Sequence, residues 1–295
     1  MKAMIIANPS SGKENALEYI EQIKAILKEK GYESTVSKTE KELDATYFCQ
    51  DACTNDYDMV VSLGGDGTLH ETINGLVDQT HRPKLGIIPL GTVNDFARAL
   101  NIPLDPEEAI KLLKSDHTKK VDIGKFNDRY FVNIVAVGAI AEATYDVTPE
   151  QKTKLGPLAY VLEGLKELTS NRAYPLSIEY DEMKWEGDSL LFLAALTRST
   201  GGFEKLTPEA RVDDGMLHCY VIRQVNMIRF ASIATAILKG ELKEEEDVEY
   251  FTAKHLKISS PDPLVTNVDG EQGDRLPVEM EVKTSHIEVV VPELN

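Results

Sequence analysis

The sequence predicts an α/β protein in two parts, a parallel-sheet domain followed by a mainly β domain. Three observations lead there. The first 125 residues alternate short apolar runs with segments of helical periodicity. Those apolar runs are almost unbroken, as expected of strands covered on both faces of a parallel sheet. After Val121-Asp122-Ile123-Gly124 the helical segments thin out, and strand-like runs separated by turn residues take over. A length of 295 residues agrees with two domains, at about 100–200 residues each. The boundaries read as 1–125 for the α/β domain and 126–282 for the β domain, the tail 283–295 returning to pack on the first.

Taken in order, Met4–Ala7 is an apolar strand. Glu14–Lys30 carries Leu17, Ile20, Ile23, Ile26 and Leu27 at helical spacing, and Gly31 stops it. A strand near Ser34–Ser37, a helix near Leu43–Cys53 and a strand at Met59–Leu63 follow. Thr68–Val77 reads as a helix, Leu85–Pro89 as a strand, and Thr92–Leu100 and Pro106–Ser115 as helices, the last with proline in its first turn. In the second part, Phe131–Val137, Leu176–Tyr180, Leu190–Leu196, Leu217–Ile222, Leu256–Ile258, Leu264–Val268 and Ile287–Val291 read as strands. Helical patterns interrupt at Pro157–Thr169 and Asn226–Leu238.

Composition narrows the function classes. The net charge is −17, which argues against general nucleic-acid binding, where clustered Lys and Arg must neutralise phosphates. It also disfavours an anionic membrane unless basic residues gather locally; Lys13, Arg98, Lys152, Lys154, Lys166 and Arg172 are the candidates. Cys49, Cys53 and Cys219 form neither a disulfide framework nor a paired zinc spacing. A reduced cytosol is the simplest compartment. The apolar start Ala3–Ala7 is too short for a signal peptide, and no uncharged run reaches the ~18 residues of a spanning helix. Membrane contact is therefore expected to be peripheral.

Gly64-Gly65-Asp66-Gly67-Thr68 ends an apolar strand and opens a helix. Glycines let backbone approach phosphate oxygens, and helix N–H groups favour anions. Asp66 suits a cation held directly or through water, and Thr68 offers a hydroxyl. The alternative is a tight turn that merely needs positive φ. Asn8-Pro9-Ser10-Ser11-Gly12-Lys13 also leaves a strand; it lacks the upstream glycine and following hydroxyl of a Walker A loop. A third loop, Pro89-Leu90-Gly91-Thr92-Val93-Asn94-Asp95, puts another carboxylate at the same expected sheet edge, where open α/β sheets bind ligands. Its alternative is a helix capped by Thr92 or Asn94. For Asp213-Asp214-Gly215 and Asp269-Gly270-Glu271 the alternative is a hairpin turn.

Together these segments resemble the diacylglycerol kinase catalytic-domain family, in its bacterial lipid kinase branch. The resemblance rests on Gly64–Thr68 with Glu71 and Asn74-Gly75, and on Gly91-Thr92-x-Asn94-Asp95-Phe96-Ala97-Arg98. Val121–Gly124, Asp213-Asp214-Gly215 and Val268-Asp269-Gly270-Glu271 add to it, in family order over nearly the whole chain. It implies a Rossmann-like nucleotide domain and a β-sandwich with a cleft between them. ATP would be bound by Asn8, Pro9, Ser10, Ser11, Gly12, Thr39, Gly64, Gly65, Asp66, Gly67, Thr68, Leu69, His70, Glu71 and Thr92. Asp66, Asp95 and Asp122 would form a water-linked network placing Mg²⁺. Glu271 would be the general base, with Asp269 beside it, and a second, structural Mg²⁺ would sit at Arg211, Asp214 and the Met216 carbonyl. His70 departs from the family's usual Asn.

The implied activity is phosphorylation of a lipid hydroxyl by ATP, diacylglycerol first, at a membrane surface and without nucleic acid. Sphingoid bases, phosphatidylglycerol and polyprenols are other acceptors. A soluble NAD or sugar-phosphate kinase is the rival enzyme, and a nucleotide-binding regulator the rival outside catalysis. Oligomeric state is open, a homodimer included.

Overall fold

Short apolar runs flanked by polar turn residues become strands of the first unit, Met1–Ile123 with Thr284–Asn295. The computed structural model describes residues 1–11, 16–138, 173–202, 205–225 and 227–293. Strands β1 (Lys2–Ala7), β2 (Glu33–Lys38), β3 (Met59–Gly64) and β4 (Lys84–Pro89) pair in parallel in the order β2-β1-β3-β4. The apolar runs are β1, β3 and β4, while β2 is a polar strand with no buried residue. Val289 of β15 (Val278–Val290) extends the sheet beside Leu85. Ile5, Ile6, Val60, Val61, Leu63 and Ile88 have no solvent exposure. Each such side chain contributes about 1.5–3 kcal/mol by burial.

The register decides where the loops go. Ala7 lies beside Leu63, and Gly64 beside Pro89. The segments starting at Asn8, Gly65 and Leu90 therefore leave from one edge of the sheet. Helices α1 (Ile20–Glu29), α2 (Asp44–Thr54) and α3 (Asp66–Leu76) connect the strands. Gly75 lets α2 and α3 touch: a Cβ there would stand 2.5 Å from the Thr46 carbonyl oxygen. Helices α4 (Asp95–Ala99) and α5 (Pro106–Leu112) follow, the latter capped by Asp105, which accepts from the Glu108 N–H at 3.0 Å.

The second unit, Gly124–Lys283, is mainly β. The strands β5 (Thr118–Phe126), β6 (Arg129–Phe131), β7 (Ile134–Gly138), β8 (Tyr174–Tyr180), β9 (Met183–Ala195) and β10 (Leu217–Arg223) are joined, after α6 (Met227–Lys239), by β11 (Val248–Ala253), β12 (His255–Ser259), β13 (Val265–Val268) and β14 (Glu271–Arg275). Pairing within the unit is antiparallel, with β9 between β7 and β8 and also paired to β10. Alternate residues serve two cores. Val135, Val137, Phe192 and Ala194 enter one, while Ile134, Ala136, Leu191 and Leu193 join Ile233 and Ile237 of α6 in the other. The two-fold side-chain period of a strand makes this possible.

Several elements differ from the sequence expectation. The helix expected at Thr92–Leu100 begins only at Asp95, because Asn94 adopts φ 56° and ψ 49°, which is not helical. The single strand expected at Phe131–Val137 is broken at Val132-Asn133, where the N–H groups bond the Asp269 carboxylate instead of a neighbouring strand. Strands β5, β11 and β14 were not expected, and β15 is longer than Ile287–Val291. The helix expected at Pro157–Thr169 lies outside the described residues, as does the start of the one expected from Glu14.

Candidate active site

Asn8 organises the first loop. Its side-chain oxygen accepts from the Ser10 N–H at 3.0 Å and its backbone carbonyl from the Ser11 N–H at 3.1 Å. Its side-chain amide donates to the Thr68 hydroxyl at 3.0 Å, tying this loop to the next. Pro9 is half-buried and Ser10 exposed; Gly12 and Lys13 lie outside the described residues. Thr39 sits at the same edge, its N–H on the Ala7 carbonyl at 2.9 Å.

The glycines of the second and third loops are explained by close approach, not by positive φ. Gly65 has φ −90°, and Gly64, Gly67 and Gly91 are likewise absent from the left-handed region. A Cβ on Gly64 would lie 2.6 Å from the Thr68 side chain, and one on Gly91 would lie 2.9 Å from the Gly65 Cα. The two loops are packed backbone to backbone. Leu90 N–H donates to the Gly64 carbonyl at 2.8 Å across the same seam.

Asp66 closes this seam. One carboxylate oxygen accepts from the Asn94 N–H at 2.8 Å and the other from the Asp95 N–H at 2.9 Å. A charged acceptor on backbone N–H groups makes a short, strong bond. Asp66 thus caps α4 from another helix, a role expected of Thr92 or Asn94; Thr92 is exposed in the loop. Asp95 is nearly buried, and Asp122 is buried with one oxygen accepting from the Ser285 N–H at 2.7 Å. Glu71 accepts from the Ala45 N–H at 3.1 Å, capping α2, which begins at a left-handed Leu43 with no cap of its own. Thr68 and Leu69 are buried in α3; His70 and Glu71 are half-buried.

In the second unit, Asp269 and Gly270 have φ 51° and 91° and form the β13–β14 hairpin turn. The turn conformation is as its dipeptide favours. Its side chain does more. Asp269 accepts from the Val132, Asn133 and Ile134 N–H groups at 2.7–2.9 Å, fixing the start of β7. Glu271 is the first residue of β14 and exposed; among the described residues its carboxylate has no hydrogen-bond or ion-pair partner. The two neighbouring carboxylates are therefore in different situations, one saturated with backbone donors and one exposed to solvent.

Arg211, Asp214 and Met216 share one loop. Asp214 accepts from the Arg211 N–H at 2.9 Å, the Met216 N–H at 3.1 Å and the His218 ring at 3.0 Å. Burial alone would raise its pKa, but the His218 bond and the backbone N–H groups outweigh it and hold the carboxyl below its ordinary value. His218 is buried and also bonds the Tyr250 hydroxyl at 2.7 Å, whose pKa burial and nearby carboxylates push up to about 12. Sequence reasoning named Asn94 only as a possible helix cap and motif residue, and missed Asn133 and His218. All three are buried polar side chains: Asn133 accepts from the Thr197 hydroxyl at 3.2 Å, and His218, on β10, joins Asp214 to Tyr250.

Asp66, Asp95 and Asp122 supply the hard oxygens that Mg²⁺ takes, and such an ion commonly binds one or two carboxylates plus substrate phosphates. With both Asp66 oxygens already accepting N–H groups, Asp66 fits an ion reached through water. Among the described residues no group of three or more His, Cys, Asp or Glu side chains is placed to hold a metal. A small pocket of about 10 Å³ lies at Ser62, Asp66 and Asn94. A far larger open groove of about 740 Å³ on the second unit is lined mostly by charged side chains and by none of the site residues, so size does not locate the site.

Comparison with known proteins fits this arrangement. Residues 2–126 match the diacylglycerol kinase catalytic domain, and 133–291 match the YegS C-terminal NAD kinase beta sandwich-like domain. A diacylglycerol kinase of Staphylococcus haemolyticus is 43% identical over 291 residues, covering 99% of this chain and 88% of the relative. One of Staphylococcus carnosus is 41% identical over 292 residues, covering 99% and 95%. The crystal structure of a diacylglycerol kinase from Bacillus anthracis superposes with a TM-score of 0.78 at 26% identity, covering 99% and 97%. Another crystal structure from that organism gives 0.86 at 29%, covering 99% and 95%. No described helix is long and apolar enough to cross a membrane. With both parts matched in order and curated relatives aligned along its length, the chain belongs to the diacylglycerol kinase catalytic-domain family of lipid kinases.

Proposed function

We propose that this protein transfers the γ-phosphate of ATP to the free hydroxyl of diacylglycerol, giving phosphatidic acid. The observation that carries the reading is the Asp66 clamp, which joins the Gly64–Thr68 and Gly91–Asp95 loops at the carboxyl edge of the sheet, in a chain aligned over nearly its whole length with diacylglycerol kinases. Phosphoryl transfer leaves a protein little covalent chemistry; positioning and charge neutralisation dominate. Asn8, the glycine-lined seam and the N-terminus of α3 suit the phosphates. Mg²⁺, when bound, offsets phosphate charge, and Asp66, Asp95 and Asp122 would hold its water shell. Glu271 accepts the proton of the attacking hydroxyl, as its exposed and unpaired carboxylate allows, while Asp269 fixes the hairpin that carries it.

The membrane is met peripherally in this reading. Of the basic residues expected to assist, Arg98 is bonded to the Val93 carbonyl of its own loop at 2.8 Å. Lys13, Lys152, Lys154, Lys166 and Arg172 lie outside the described residues. Each basic residue near an anionic surface is worth about 1 kcal/mol, screened by salt. Binding to anionic vesicles should therefore weaken as salt rises.

The acceptor is tested by comparing kcat/KM for labelled ATP over diacylglycerol, a sphingoid base, phosphatidylglycerol and a polyprenol in detergent, with NAD as the soluble control. Highest turnover on diacylglycerol supports the proposal. Preference for another lipid changes the acceptor, and labelling of NAD alone removes the lipid reading.

A further inference from the structure

Asn94 engages its side-chain oxygen, side-chain amide, backbone N–H and carbonyl, three of them within its own turn and one on Asp66. Its side-chain oxygen accepts from the Gly91 N–H at 2.9 Å, and its side-chain amide donates to the Gly91 carbonyl at 2.8 Å. Its own N–H reaches Asp66 at 2.8 Å, and its carbonyl accepts from the Arg98 N–H at 3.0 Å. The residue is buried, and its backbone is left-handed, a conformation costly for residues other than Gly, Asn and Asp.

Each of these facts has a consequence for Asp66. The left-handed turn at Asn94 points two successive N–H groups, those of Asn94 and Asp95, at the two oxygens of one carboxylate. The paired side-chain bonds to Gly91 fix that turn, and Gly91 in turn sits within van der Waals contact of Gly65, next to Asp66: a Cβ on Gly91 would meet the Asn94 side-chain oxygen at 2.6 Å and the Gly65 Cα at 2.9 Å. Residues 65, 66, 91, 94 and 95 thus form one closed circuit. The Asn94 side chain and the Asp66 carboxylate are the parts of it that no backbone atom supplies.

We propose that Asn94 is a positioning residue for phosphoryl transfer: it holds the Gly91-Thr92 loop shut and aims the Asp66 carboxylate, and it does so without touching the nucleotide. The inference rests on the ATP-dependent reading above and adds to it a residue that acts through another. Asn94→Gly tests it best, because glycine keeps the left-handed turn without strain while deleting both bonds to Gly91. Asn94→Asp keeps the acceptor, loses the donor and adds a charge beside Asp66.

The measurements are the affinity for a fluorescent ATP analogue with and without Mg²⁺, turnover, and the melting temperature. Asn94→Gly is expected to melt within a few degrees of the parent, to bind the analogue about 10-fold more weakly in Mg²⁺, and to lose about 10²-fold in turnover, as a small misplacement of reacting groups does. Asn94→Asp should bind no better than Asn94→Gly. In an Asp66→Asn background, Asn94→Gly should add little further loss, since both act on one clamp. Parental affinity and turnover in Asn94→Gly would overturn the proposal. So would losses that track only the unfolded fraction, or full additivity with Asp66→Asn. If the parent protein binds the nucleotide but labels no lipid, the functional reading fails, and the role of Asn94 is still decided by the binding data.

Discussion

Asp66 in the first unit and Asp269 in the second sit in similar glycine-flanked segments, and both spend their carboxylates on backbone N–H groups of a segment far away in sequence. Their surroundings separate them. Asp66 gathers loops at the carboxyl edge of a parallel sheet, with Asp95 next to it and nearly buried. Asp269 sits in a left-handed hairpin turn and interrupts a strand, with Glu271 exposed two residues on. In the first unit the anchoring carboxylate itself lies among the glycine loops. In the second the anchor and the open carboxylate are different residues. A motif aspartate is thus not by that fact a catalytic group; what it already binds decides.

The comparison is broken most severely at Glu271. Glu271→Gln preserves size and most hydrogen bonding but takes no proton, and should lose about 10²–10⁴ in turnover, roughly 3–5 kcal/mol of barrier, at unchanged melting temperature. Turnover near the parent's would move the base elsewhere. Asp269→Ala should show the opposite balance. Three N–H groups lose a charged acceptor, so urea denaturation should report a stability loss on the order of 3 kcal/mol. A stable Asp269→Ala that is nevertheless inactive would make Asp269 a reacting group and undo the distinction drawn here.

Asp214 sharpens the same contrast at smaller scale. Asp214→Ala should cost about 1–3 kcal/mol through the N–H groups it leaves unpaired. Its folded pKa lies below the ordinary value, so its stabilisation is complete above the unfolded carboxylate pKa of about 3.9 and is lost as pH falls through the lowered folded value. Unfolding measured between neutral pH and that acid range should therefore fall less steeply in Asp214→Asn. If Asp214 also holds a structural Mg²⁺, added Mg²⁺ will raise the melting temperature of the parent more than of the variant. Equal increments would leave Asp214 as a loop anchor alone.

Much of the first unit was legible because parallel strands are buried on both faces and read as apolar runs; Met59–Gly64 is entirely buried. The loops were legible because glycine clusters after strands are few. What escaped was set by side chains reaching across the sequence. No local pattern shows that Asp269 would split Phe131–Val137, or that Asn94 would turn left-handed and delay α4. Strand β14, Glu-Gln-Gly-Asp-Arg, has no apolar residue and is a strand only through its pairing with β13. Of the two readings of the glycines, close backbone approach and positive φ, the second fails. Space between loops, and not φ, demands Gly64, Gly65 and Gly91.

The central claim, transfer from ATP to a lipid hydroxyl, is met most directly by one incubation. The purified protein with Mg²⁺ and γ-labelled ATP is given diacylglycerol in mixed micelles together with NAD, and the products are partitioned between organic and aqueous phases. The account predicts label in the organic phase as phosphatidic acid, lost in Glu271→Gln. Label confined to a water-soluble product, or lipid labelling that survives Glu271→Gln undiminished, would contradict it.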